Sequence, residues 1–175
     1  LVLAMGLMTT VSFAQDWNVD SRTRIDMSGD YDKMEAAQRA TVGATWGGSD
    51  WSIHGSTVVN YDLNDGKAAS LSVYEAYAST DLMGYASVTM GRQALNYGSG
   101  TIIGSNEWSA NRNTRDAFVF GLNLDMADVT VGYASRMSKD SLTNGATGMF
   151  LNASKAEGDW SANLLYGTET TTTDD

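Results

Sequence analysis

Apolar and polar residues alternate along most of this chain with a period of two, in runs of about ten, and that rhythm dictates β-strands rather than helices. Trp17, Val19, Ile25 and Met27 alternate with Asn18, Asp20, Arg22, Arg24 and Asp26. Val42, Ala44 and Trp46 alternate with Arg39, Thr41, Gly43 and Thr45, and Trp51, Ile53, Val59 and Tyr61 with Ser52, His54, Ser56 and Asn60. Phe118, Phe120, Leu122 and Leu124 oppose Gly121 and Asn123, while Val129, Val131 and Tyr133 oppose Thr130, Gly132 and Arg136. Trp160, Ala162, Leu164 and Tyr166 oppose Ser161 and Asn163. Segments 71–80, 84–93 and 147–156 follow the pattern less cleanly. The expectation is about nine strands, each with one greasy and one polar edge.

Strand length separates the candidate all-β folds. About ten tilted residues cross the hydrocarbon of a bilayer, whereas strands of soluble sandwiches centre near about five or six. The links carry a second signal: short ones at 47–50, 81–84, 125–128 and 157–159 alternate with long ones at 28–37, 63–70, 94–115 and 138–146. Short periplasmic turns and long external loops alternate in this way in outer-membrane barrels. Trp46, Trp51 and Trp160 sit beside short turns, as an aromatic belt at one membrane interface requires. Most of the 21 acidic residues fall in turns and loops, with Asp16, Asp20, Asp26, Glu75 and Asp116 as the exceptions. The absence of proline suits long, fully paired strands. The expected fold is therefore all-β, a transmembrane antiparallel β-barrel. Nine strands leave an open edge and bacterial barrels use an even number, so residues 15–175 read as the N-terminal part of a barrel of about 16–18 strands. The alternative is a secreted β-sandwich binding module, whose apolar edges would meet in a dry core.

Residues 1–14, LVLAMGLMTTVSFA, read as a secretory signal peptide without its basic start, with small residues at Ser12 and Ala14 before the cleavage site. The mature chain then begins near Gln15, outside the cytoplasm. The net charge of −10 argues against a nucleic-acid partner, which needs clustered Lys and Arg. With no cysteine there is no thiolate nucleophile or thiolate metal site, and a lone histidine, His54, rules out a His-pair site. His54 reads as a polar residue of the lumen, without the partners a hydrolase needs. The run Asp62-Leu63-Asn64-Asp65-Gly66 places its glycine where a calcium loop wants a third ligand, so it reads as an acidic turn. Asn144-Gly145 reads as a loop turn. No enzyme activity, cofactor or metal is expected.

Arg22, Arg24, Arg39 and Arg136 share the polar parity of their strands, and an arginine is costly against lipid, so they are expected to line the lumen. There they either form a cationic track that sets ion preference or pair with Asp20, Asp26 and Glu75 to stiffen the wall. Arg92 has the parity of the outward-looking Ala86, Val88 and Met90. A bulge at Gly91 would turn it inward toward Glu75, and the alternative is a position at the membrane rim. The longest link, 94–115, carries Tyr97, Glu107, Trp108, Arg112 and Arg115, and Asp116 follows it. Ile102, Ile103 and Trp108 would be wasted in a solvated loop, so the link is expected to fold into the barrel and narrow the bore. A lid packed on neighbouring loops is the alternative.

This part of the chain also resembles the outer-membrane alginate-export porin family. The matching pieces are Gly91-Arg92-Gln93, Tyr97-Gly98, Ile102-Ile103-Gly104, Trp108, an arginine at 112 or 115, Asp116, and Glu75-Ala76-Tyr77 on the preceding strand, with the likeness running from about residue 71 to 136. The resemblance implies a monomeric barrel in the outer membrane of a Gram-negative bacterium, in contact with its lipid. It would let a diffusing solute, an anionic saccharide among the candidates, cross passively. A channel for polyuronates should present a dense ring of Arg and Lys. Here Asp20, Asp26 and Glu75 interleave with the arginines, which suits a general porin equally well.

Overall fold

The computed structural model describes residues 14–27, 35–63, 68–109, 112–135 and 147–170. Residues 1–13 of the expected signal peptide 1–14, Arg136, Asn64-Asp65-Gly66 and Asn144-Gly145 lie outside the described residues. Nine strands follow in order: β1 (Ala14–Asp26), β2 (Glu35–Gly47), β3 (Trp51–Asp62), β4 (Ser70–Leu82), β5 (Ala86–Gln93), β6 (Arg115–Leu124), β7 (Ala127–Ser135), β8 (Thr147–Glu157) and β9 (Trp160–Thr170). Each pairs antiparallel with its chain neighbours, giving one nine-stranded sheet in sequence order that does not close. The strands run from 8 to 13 residues, well above the length usual in soluble sheets. Among the described residues no helix is long and apolar enough to cross a membrane, which bears on helices alone.

The short connections turn as hairpins should. Met83 (φ 59°) and Gly84 (φ 75°) are both left-handed, the type I′ arrangement that matches strand twist, and Tyr85 N–H donates to the Leu82 carbonyl at 3.3 Å. Asp81 Oδ1 caps the turn by accepting from Gly84 N–H.

The registers divide the sheet into two faces of opposite character. One face is bare: Trp17, Val19, Val42, Ile53, Leu71, Met90, Phe118, Tyr133, Leu151, Leu164 and Tyr166 all stand exposed on it. Its only charged side chains among the described residues sit at strand ends, Arg92 and Asp116 at the long-link rim and Lys155 and Glu157 at the short-turn rim. Trp46, Trp51 and Trp160 ring the short-turn end of this face, with Trp17 edge-on to Trp46 at 6.4 Å.

The opposite face carries Arg22, Arg24, Arg39, His54, Glu75 and Asn152, and the 94–114 link lies against it. Among the described residues, an apolar cluster forms here. Leu95 and the fully buried Ile103 of the link pack on Ala117, Val119, Ala134 and Phe150, flanked by Tyr97 and Leu165. The floor accepts them because small residues line it, and Phe150 lies over Gly132 so closely that a Cβ there would overlap its ring.

Two features of the sheet explain where the alternation blurs. On β4, Glu75 pairs with Ser56 and Val73 with Thr57, which leaves Tyr74 as the extra residue of a bulge. Tyr74 and Glu75 both reach groups of the covered face, which is why 71–80 breaks the rhythm. On β5 the expected bulge at Gly91 is absent. The register runs unbroken through Ala76–Arg92 and Tyr77–Gly91, with Gly91 at φ 129° and its α-carbon against the Ala76 carbonyl, where no side chain fits.

Candidate functional site

The 94–114 link meets the polar face through its carbonyls. A turn at its tip, closed by Ser109 N–H donating to the Asn106 carbonyl at 3.0 Å, aims three successive carbonyls at β1 and β2. Arg22 donates to the carbonyls of Glu107 (2.7 Å), Trp108 (3.1 Å) and Ser109 (3.0 Å). Arg39 donates to those of Glu107 and Ser109, both at 3.0 Å, and Arg24 adds a bond to that of Trp108. The rigid fork of a guanidinium suits this work, because one side chain serves several acceptors without bending. Arg22 and Arg39 face each other in the β1–β2 register, so strand pairing itself assembles the grip.

Charge balance follows from the same placement. Arg39, buried, lies 3.4 Å from Asp20 Oδ2 and 3.8 Å from Glu107 Oε2. Arg112 pairs with Glu107 Oε2 at 3.3 Å, donates to Thr41 Oγ1 and lies 3.4 Å over the Tyr74 ring. Tyr74 Oη in turn donates to Glu107 Oε1 at 3.0 Å. Glu107 thus joins the tip of the link to β2, β4 and its own Arg112. Four guanidiniums (Arg22, Arg24, Arg39, Arg112) meet two carboxylates (Asp20, Glu107) at the grip, and the cleft beside it, lined by Arg22, Arg24, Arg39 and Asn60, carries Asp62 on its wall as well.

The two roots of the link are fixed separately. At the first, Glu75 Oε1 accepts from Ala94 N–H at 3.0 Å. At the second, the buried Arg115 stands opposite Gln93 and donates to the Gly104 carbonyl at 3.4 Å, while Gln93 Nε2 donates to the Ala117 carbonyl at 3.3 Å. Within the link, Tyr97 N–H donates to the Ile103 carbonyl at 2.9 Å, and its ring packs on Phe150 with centroids 5.0 Å apart. Burial among these groups pushes the Tyr97 phenol above its ordinary value.

The sequence reading thus brings Arg22, Arg24, Arg39, Glu75, Tyr97, Trp108, Arg112 and Arg115 into one assembly, but with three differences. The arginines hold backbone carbonyls rather than forming a row open to solvent. Of Ile102, Ile103 and Trp108, expected to pack together, only Ile103 is buried, since Ile102 is 68% and Trp108 79% exposed, Arg22 lying 6.0 Å from the Trp108 ring.

Arg92 is the third and a correction. It does not turn toward Glu75; it stays on the bare face and grips Asp116 with both ends of its fork, Nε–Oδ1 at 2.8 Å and Nη2–Oδ2 at 3.1 Å. The register forces this, because Arg92 lies directly opposite both Ala76 and Asp116, and the bulge that could have re-aimed it formed one strand earlier. Asp116 leaves the loop assembly for the same reason.

Tyr74, Thr41 and Gln93 are members that sequence reasoning missed. The blurred rhythm of 71–80 is the one signal that pointed to Tyr74. Among the described residues no group of three histidine, aspartate or glutamate side chains is placed to hold a metal ion. No protein-family model matches this chain, and no curated protein matches it either.

Proposed function

We propose that this chain forms part of an outer-membrane β-barrel channel through which small or anionic solutes, saccharides among them, diffuse passively, with the 94–114 link narrowing the bore. One observation carries the reading: a bare apolar sheet face whose few charges, among the described residues, stand only at the two rims. In water such a face is a large exposed hydrophobic patch that a soluble chain would cover. Against lipid tails it is the ordinary exterior of a barrel, and tryptophan at one rim is its ordinary girdle. The polar face then looks onto water, and the arginine-held link lies in the path of any solute. Residues 91–116 and Glu75-Ala76-Tyr77, which resemble the alginate-export porins, include much of this assembly.

The test is expression of the full-length gene product in a Gram-negative host. A heat-modifiable band in outer-membrane extracts and discrete conductance steps in planar bilayers are the expected results. A product that stays soluble without detergent and forms no steps overturns the channel and favours a secreted sandwich, in which the bare face would be core.

A further inference from the structure

His54 takes no part in gripping the link tip, yet it is built into the link's first root. It stands on β3 opposite Thr45 of β2 and Tyr77 of β4, with Nδ1 2.8 Å from Thr45 Oγ1 and its ring stacked on Tyr77 at 5.0 Å and 24°. Its other nitrogen, Nε2, is buried and has no hydrogen-bond partner, although Glu75 Oε2 lies 3.6 Å away. The second oxygen of that carboxylate is the one that holds Ala94 N–H. The titratable groups facing the ring are Glu75 and Tyr77, both from β4; β2 brings Thr45 and Gly43, which do not titrate.

We propose that His54 is a proton-operated latch on the 94–114 link: when the imidazole takes up a proton from solvent, both ring nitrogens are donors and the ring is cationic, so Nε2–H closes onto Glu75 Oε2 and fixes the carboxylate that anchors Ala94, and acidification tightens the root of the link. Tightening rather than release follows from the geometry. The two donors use different oxygens of Glu75, so they do not compete. The Glu75 backbone is already held, its N–H donating to Ser56 Oγ at 3.1 Å. The ring, caught between Thr45 and Tyr77, has little room to swing away. The remaining gap shrinks by under about 1 Å to reach the length of a charge-assisted bond. Histidine is the side chain whose charge ordinarily changes between about pH 5 and 8. The latch concerns the root of the link and stands whether or not solutes cross.

Amide hydrogen exchange on the folded full-length protein in detergent reads it directly. After correction for intrinsic exchange, protection of the Ala94 amide is expected to be at least about fivefold higher at pH 5.5 than at pH 8. His54→Gln and Glu75→Gln should each abolish that ratio, because the glutamine at 75 keeps an oxygen for Ala94 N–H but loses the one facing the imidazole. A ratio below one in the parent, or one that survives in either variant, overturns the latch. A second measurement follows the His54 ring signal, which its loss in His54→Gln identifies. The Ala94 amide shift is expected to titrate with the same midpoint as the His54 ring, and an amide that ignores that midpoint refutes the coupling.

Discussion

Arg39 holds Glu107 twice, through the backbone carbonyl at 3.0 Å and through the carboxylate at 3.8 Å, across 68 residues of sequence. A loop tip is thereby tied to the second strand of the sheet, and the side chain that does it is almost wholly buried. The tie is structural before it is anything else. A buried guanidinium without its partners would be costly, and so would the carbonyls it now satisfies.

Arg39→Ala should therefore loosen the link and destabilise the fold together. Asp20 and Glu107 are about half exposed and recover water when the guanidinium goes, so the loss is expected to be about 1–3 kcal/mol rather than that of a fully buried pair. Denaturant unfolding of the detergent-folded protein measures the first effect. Larger, noisier conductance in planar bilayers measures the second, because Arg22 alone would then hold the Glu107 and Ser109 carbonyls. Unaltered current with a normal unfolding curve would show that the grip matters to neither.

Gly132 is expected to tolerate no side chain. Any Cβ there runs into the Phe150 ring, which is itself 2% exposed and locked in the cluster with Leu95 and Ile103. Gly132→Ala should cost about 1–3 kcal/mol, the usual range for overpacking, despite alanine's better strand propensity. Phe150→Leu in the same chain should recover part of that loss, and a double-mutant cycle measures the recovery. Strict additivity of the two changes would mean the ring has room to move aside.

Alkaline pH should act on the link through Tyr97. Its phenol is raised by burial, so the folded state resists ionisation that the unfolded chain undergoes near about pH 10. The stability that comes from this burial is complete below that value and is lost as pH climbs through the raised folded one. Melting temperature is expected to fall between pH 10 and 12 in the parent chain and to fall less in Tyr97→Phe, the difference between the two isolating this phenol. Equal slopes would place Tyr97 in contact with water.

Strand number, order and facing were legible because period two is a property of the backbone itself. Trp17, Val19 and Ile53 keep their side of the sheet whatever the chain does elsewhere. The short turns were legible for a similar local reason. What the sequence hid is non-local. The bulge at Tyr74 depends on how β4 meets β3, and no pattern within 71–80 says which residue is the extra one. The link's chemistry was half visible. Arg22, Arg24, Arg39 and Arg112 stood out as charges, but their acceptors are mostly main-chain carbonyls of 107–109, which every residue owns and no residue type announces. The same blindness misplaced Arg92, whose partner Asp116 lies on β6, across the loop, rather than on β4 with Glu75.

Arg92 and Asp116 also give the sharpest separation of the two faces. Both stand at the long-link rim of the bare face, away from the arginine-held tip, with Arg92 35% and Asp116 49% exposed. Charge reversal at Arg92 sets two carboxylates against each other there, so Arg92→Glu should lower stability. At this rim the cost is expected to be about 1 kcal/mol. Asp116→Arg added to Arg92→Glu should restore most of it, since the fork and the carboxylate merely change sides. Ion selectivity, by contrast, should stay at the parent value in both variants, because neither group faces the covered side where Arg22, Arg24 and Arg39 lie. Reversal-potential measurements in a salt gradient decide this. A selectivity shift from Arg92→Glu comparable to that from Arg24→Glu would put Arg92 in the path of the ions and undo the assignment of the faces.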